Sequence, residues 1–503
     1  MDNSSKILIV GSGGNAIAIA AQLQKSGMTD YRIITAHSEF GGAWHINRYP
    51  GCGVDTNAFT YQLEIALGTP WTTTHPKQPE ILGYFVKVAH DLGLHDKTDF
   101  ETEMTACSWN TADNAWVVDT TNGQYHCQHL VLATGFLNQR VENTVPGQDL
   151  FERRIFHSQQ WPDEYTGAGD RIAVVGSGSS ALQIVPAVQP DAESLVVFQR
   201  TPTWILPKNE RVFSEEEQRR LGQDLNWVLE QRAMQYSERR AAVQALNLEP
   251  DPAWAEAMQE TGLRFLEEQV SDPKLREILT PDHNFGCKRR GLSDNWYSAL
   301  QKPNVELVPE AAAKITATEI TSQSGRSFEV DTIVLCTGFR WGTEILDRVY
   351  RRDGQSVAEA QGGHPRSYKG VNVSKCPNLW LLGGPAPNGR SQHEGLRTGE
   401  LASFYIVNAI ERMESLGVPA LEVREEAEAE WKRQADEVLS KGAATSGECS
   451  NYITDRFGCN MADWPGDDQH QTSQMSAFVE DDYVEPLEGV ALTPSDGHLV
   501  RED

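Results

Sequence analysis

No stretch of this chain is long and apolar enough to span a bilayer, and no cysteines stand at C-x-x-C spacing. The first six residues lack the charged and apolar regions of a secretory signal, and the apolar stretch behind them is short. Positive charge is scarce: 44 Lys and Arg stand against 71 Asp and Glu, a formal net charge of −27. Nucleic acid and anionic membrane repel so acidic a protein, so neither is expected as a partner. The eight cysteines are scattered, and no His, Cys, Asp and Glu cluster has metal-ligand spacing. The expectation is therefore reduced thiols, a cytoplasmic location and no metal. At 503 residues the chain has room for two or three domains.

What the chain does have is glycine in two telling places. ILIVGSGGNAIAIAAQL puts Gly11, Gly13 and Gly14 behind the apolar run Ile7 to Val10, and RIAVVGSGSSALQIV puts Gly176 and Gly178 behind Ile172 to Val175. A β-branched strand running into an uncrowded turn, with a helix behind it, is how backbone N–H groups hold a pyrophosphate. One such turn is a weak signal. Two predict an α/β protein with two Rossmann-like dinucleotide-binding domains, one for a flavin and one for a nicotinamide. Arg200 lies 24 residues past Gly176 and suits the 2′-phosphate of NADP. Thr35 lies 24 residues past Gly11, where a ribose-binding acid is normal, and Ala16 replaces the third glycine. Glu39 is the nearby substitute for that acid.

The remaining text divides the chain. Residues 1–145 read as the first part of an FAD domain, closing on the strand that ends Ala133-Thr134-Gly135. Residues 146–208 and 281–340 read as two parts of an NADP domain, the second closing on Cys336-Thr337-Gly338. Between them, 209–280 is strand-poor and carries helix starts at Ser214–Glu217, Asp251-Pro252 and Asp272-Pro273, so it reads as a helical insertion. Residues 341–466 return to the FAD domain, and 467–503 read as an acidic tail that wraps the surface or is partly disordered.

Longer motifs are more specific. GGAWHINRYPGCGVD (41–55), FERRIFHSQQWP (151–162), VFQRTPTW (197–204), GCKRR (286–290) and NWYSALQKPNVELV (295–308) resemble segments of Baeyer–Villiger monooxygenases. CSNYITDRFGCNMADWPG (449–466) resembles the S-W-Y…G-R-N…W-P-G segment of members similar to 4-hydroxyacetophenone monooxygenase. These matches run in order along nearly the whole chain. The resemblance implies FAD and NADPH as cofactors, with a small-molecule ketone and molecular oxygen as substrates. It also implies a C4a-peroxyflavin that yields an ester or lactone. It assigns catalysis to Arg289 and to Asp55, which positions it. Cofactor contacts fall to Gly11, Gly13, Gly14, Thr35, Glu39, Gly42, Trp44, Tyr49 and Asp55 on one side. On the other they fall to Gly176, Gly178, Ser179, Ser180, Arg200 and Lys288. Size alone suggests a monomer or homodimer.

Taken singly, these residues have plainer readings. Asp55 follows glycines as turn residues do, Lys-Arg-Arg suits a solvated patch, and Trp44, Trp161 and Trp204 suit a core. His157 suits a core or loop histidine, whereas the resemblance implies that it braces the linker between the two domains rather than moving protons. Departures from the motifs are Thr35, Ala16, Asn451 for the tryptophan of S-W-Y, and Arg153 for a fingerprint glycine, which requires a rebuilt turn or a negative φ. Two other outcomes fit the same residues: N- or S-oxygenation or hydroxylation of a specialised metabolite, and nucleotide binding without turnover.

Overall fold

The computed structural model describes residues 3–142, 144–383, 387–390, 395–446, 449 and 451–485. Two sheets organise it. In the first, Ser4–Val10 lies parallel between Tyr31–Ile34 and Gly123–Leu132. Leu379–Leu381 pairs parallel with the far side of Gly123–Leu132, and Val349–Tyr350 joins Met104–Asn110 at one edge. The second sheet is parallel throughout, in the order Val305–Val308, Ser194–Phe198, Arg171–Val175, Thr332–Leu335, Arg154–His157. The glycine-preceding strands are buried along most of their length, as strands covered by helices on both faces must be. The chain thus leaves the first sheet, builds the second, and returns to the first. The fold is α/β with two Rossmann-like units.

The crossing points are paired. Gln139–Arg140, leaving the first unit, runs antiparallel to Phe339–Arg340, leaving the second. His157 Nε2 donates to the Gly338 carbonyl at 3.2 Å, while its Nδ1 accepts from the Gln159 amide. Burial lowers the pKa of this ring, so it stays neutral and braces the crossing.

Arg153, in place of the fingerprint glycine, has no positive φ. Its guanidinium instead donates to the Val330 carbonyl at 2.9 Å and to Asp331 at 2.8 Å, with Glu329 at 3.1 Å. Arg171 meets the same two carboxylates from the neighbouring strand. The turn is therefore rebuilt around a side-chain network.

The insertion is helical, comprising Glu215–Gln223, Leu225–Val243, Pro252–Gln269 and Pro273–Leu279, with a π-helical turn at Gln244–Leu248. Each of the four helices begins on a capping side chain: Ser214, Asp224, Asp251 or Asp272.

Two expectations need correction. The tail does not start at 467. Asp468–Ser476 is helical, Tyr483–Val484 pairs with Glu422–Val423, and Tyr483 is fully buried with its hydroxyl on Tyr405 and Asn372. An aromatic anchor outweighs the acidic text around it. Residues 486–503 lie outside the described residues. Nor are all the thiols free: Cys287 and Cys449 form a disulfide, Cα–Cα 5.5 Å.

Hydrogen bonds from Arg171 hold the Asp331 carboxyl at about 2, below its ordinary 3.8. Stability from this lowered pKa is present above about pH 4 and disappears as pH falls through 2. Asp331→Asn is expected to lower Tm at pH 7 by about 2–3 °C, the network being one-third exposed. The gap from wild type should close in a melting series taken down to pH 2.

Candidate active site

Both glycine turns are built alike. Gly11 (φ +128°) and Gly176 (φ +117°) sit where a Cβ would lie 2.4 Å from a carbonyl, of Ala133 and Cys336 respectively. Those carbonyls close the strands ending Ala-Thr-Gly and Cys-Thr-Gly, so both strands return beside their turns. The helices behind, Gly14–Lys25 and Ser179–Val188, start on Gly13 and Gly178 with no capping side chain. The first-turn N–H groups of these two helices have no side-chain cap, unlike those of the insertion helices, which is what a pyrophosphate site requires. Gly178 has nothing within 4 Å of its Cβ direction, and a Cβ on Gly42 would fall 2.8 Å from Gly13 Cα. The residues present fit two dinucleotides.

The flanking residues are distributed as follows. Gly14 packs its helix against Phe85 and Leu396. Thr35 is buried, and its hydroxyl is shared with Ser12 at 3.0 Å and the His37 amide at 3.3 Å. The Glu39 carboxylate takes His95 Nε2 and the Phe40 amide. Trp44 donates to the Tyr61 hydroxyl at 2.7 Å and receives Gln78 on its carbonyl. Tyr49 is buried in the second unit's core, its hydroxyl on Gln183 at 3.0 Å and within reach of Ser180. Gly51 abuts the same helix, so 41–55 runs from the first glycine turn to the helix behind the second. Ser179 opens that helix and is exposed. Exposed Arg200 leaves the next strand beside Ser177, whose hydroxyl donates to Thr201. Lys288 precedes the Gly291–Leu292 strand, paired with Ile205–Leu206. Trp161 and Trp204 are core.

Arg289 meets Asp55 across this junction, Nη2 to Oδ2 at 3.6 Å. The arginine loop is clamped at both ends. Beyond it Gly291 donates to the Trp204 carbonyl at 2.8 Å. Before it, the Cys287 carbonyl accepts from Asn451 Nδ2 at 3.1 Å, and the Cys287–Cys449 bridge lies alongside. Asn451 turns its side-chain oxygen back on the Ile453 and Thr454 amides, which sets the local turn. That turn brings Tyr452 to the guanidinium. Tyr452 contributes most to raising the Arg289 pKa, desolvation opposes it, and Asp55 adds to it. Desolvation, then repulsion from Arg289 and Arg239, lowers Arg290. His75, within electrostatic reach of Asp55, is pushed to about 4 by burial and then by Lys208, so it is neutral at pH 7. The site is a permanent cation among further guanidiniums, in an otherwise acidic protein.

The chain is 32% identical to a Baeyer–Villiger monooxygenase of Streptomyces coelicolor, over 92% of this chain and 89% of that one. It belongs to the Baeyer–Villiger monooxygenases. A similar enzyme of Pseudomonas aeruginosa is also 32% identical, over 92% of this chain and 88% of its own. Residues 8–204 match the profile of the pyridine nucleotide-disulphide oxidoreductase family. Closed cyclohexanone monooxygenase superposes with a TM-score of 0.84 at 27% identity, covering 94% of this chain and 97% of its own. Oxidized steroid monooxygenase bound to NADP superposes with the same score and coverage at 25% identity.

Sequence reasoning missed what grips Arg289 in this Baeyer–Villiger monooxygenase. Tyr452, Asn451 and the Cys287–Cys449 pair all lie in the quoted motifs, but nothing in either motif says that the two meet. Two outcomes are expected. Gly11→Ala should give colourless protein, whereas Gly176→Ala should stay yellow with KM for NADPH raised at least about tenfold, one turn's clash being local to one nucleotide. Titration of the denatured protein should find six thiols without reductant and eight with it.

Proposed function

We propose that Arg289, held by Asp55 and Tyr452, is the catalytic cation of this FAD- and NADPH-dependent monooxygenase. The reaction converts a ketone, O2, NADPH and a proton into an ester or lactone, water and NADP+. FAD, when bound, takes the hydride and delivers one oxygen atom of O2. The chain's own part is positional and electrostatic. Negative charge on oxygen needs a cation that cannot surrender its proton, and a guanidinium meets that demand where an imidazole or amine would not. Asp55 fixes the orientation of Arg289 at 3.6 Å without neutralising it through a tight bidentate pair. Neutral His75 offers no competing proton donor at pH 7.

The uncapped turn at Gly11 and Gly13, with Gly42 against it, would take the FAD pyrophosphate, and Trp44 flanks that side. The uncapped turn at Gly176 and Gly178, with Ser179 and Ser180, would take the NADP pyrophosphate, leaving Arg200 and Lys288 for its 2′-phosphate. Thr35 and Glu39 already share their polar atoms with neighbours, so ribose recognition on the flavin side rests more on backbone than in a site with a free carboxylate. A cytoplasmic monomer or homodimer, drawing on the NADPH supplied there, completes the reading.

The Arg289–Asp55 pair, drawn from two motifs far apart in sequence, carries this proposal. Arg289→Ala is expected to lower ester formation about 10²–10³-fold while NADPH oxidation continues and releases hydrogen peroxide. Arg289→Lys should recover only part of the loss, since charge returns without the planar fork. Product analysis beside peroxide assay checks this, and unimpaired oxygenation by the alanine variant would favour N- or S-oxygenation or hydroxylation instead.

A further inference from the structure

Away from the nucleotide turns, three segments bring together a histidine, a carboxylate and a thiol. His364 follows the left-handed glycines Gly362 and Gly363 that end the helix Val357–Gln361. Asp436 lies on the helix Glu425–Leu439, and Cys459 lies in the turn closed by the Thr454–Asn460 bridge. Their ligand atoms all lie within 4.8 Å of one another. We propose that His364, Asp436 and Cys459 bind one divalent transition-metal ion of the zinc type, clipping that helix to the segment that carries Tyr452.

The orientation of the histidine carries the argument. Its Nδ1 lies 2.6 Å from Asp455, whose side chain is only 2% exposed. The other Asp455 oxygen accepts the amides of Phe457 and Cys459 at 2.9 and 3.0 Å. Asp455 is thus fully committed as the partner that fixes the ring, the arrangement in which a ligating histidine donates one nitrogen to a carboxylate and turns the other to metal. The free nitrogen, Nε2, faces Asp436 Oδ2 at 3.5 Å. Two ligands on a tetrahedral ion at about 2.0 Å each stand about 3.3 Å apart, so this edge already has the right length. Lys432 occupies the other oxygen of Asp436 and leaves Oδ2 toward the ring. The sulfur must close the remaining distance.

Nitrogen, oxygen and sulfur together select a borderline ion such as Zn2+ over Ca2+ or Mg2+. His364 and Asp436 remain roughly one-third exposed, which leaves the fourth position to water. Cys459 also stands where the quoted G-R-N motif has arginine. Among the six free cysteines it is the one that is not buried. The sequence showed no ligand spacing because the three residues come from three separate segments.

The competing arrangement is a doubly protonated His364 paired with two carboxylates and no metal. The test uses untagged, flavin-loaded protein, stripped with chelator and kept reduced, then titrated with Co2+ and with Zn2+. One equivalent of Co2+ should produce the ligand-field bands of a tetrahedral site, at red wavelengths clear of the flavin, and Zn2+ should displace it. Cys459→Ser should weaken binding at least tenfold, and Asp455→Asn about 10- to 100-fold through the ring it orients. If the variants fold poorly, X-ray absorption on zinc-loaded wild type should show one sulfur at about 2.3 Å. No cobalt spectrum at one equivalent, absorption without a sulfur neighbour, or binding unchanged in folded Cys459→Ser would each overturn the site.

Discussion

Two carbonyl oxygens, Ala133 O and Cys336 O, set the spacing on which the rest depends. Each ends the strand beside a glycine turn and lies where any side chain on Gly11 or Gly176 would collide with it. Only glycine fits a contact this tight, and the helix that follows each turn starts with no capping side chain. The same solution occurs twice in one chain.

The second constraint is how the two units are joined. The stretch 41–55 begins against the first glycine turn, sends Tyr49 and Gly51 onto the helix behind the second, and ends at Asp55. Cys287, Asn451 and Gly291 fix the opposite side of the junction. Arg289 is held by residues from the first unit, the second unit and the C-terminal segment, so its position reports how all three are assembled.

Much of this was legible in the sequence because it is local. Strand, glycine turn and helix lie within about twenty residues of one another, and so do Ser214 with Glu217 and Asp251 with Pro252. The Asp55–Arg289 encounter was legible only through resemblance, since no periodicity links residues so far apart. What could not be read was long-range and idiosyncratic. The Cys287–Cys449 bridge joins cysteines that composition alone assigns to a pool of free thiols. Tyr483 buries one aromatic ring in text that otherwise reads as solvated tail. Arg153 keeps an ordinary φ and pairs with Glu329 and Asp331, which lie far along the chain.

The paired ribbon of Gln139–Arg140 with Phe339–Arg340 has a mechanical consequence. The chain passes out to the second unit and back through one place, and the two passages are hydrogen-bonded to each other and pinned by His157. The ribbon has company: the stretch 41–55 reaches the helix behind the second glycine turn, and the Cys287–Cys449 bridge joins the second unit covalently to the C-terminal segment. The second unit is thus fastened at several separate points, and a load placed on any one of them is shared by the others.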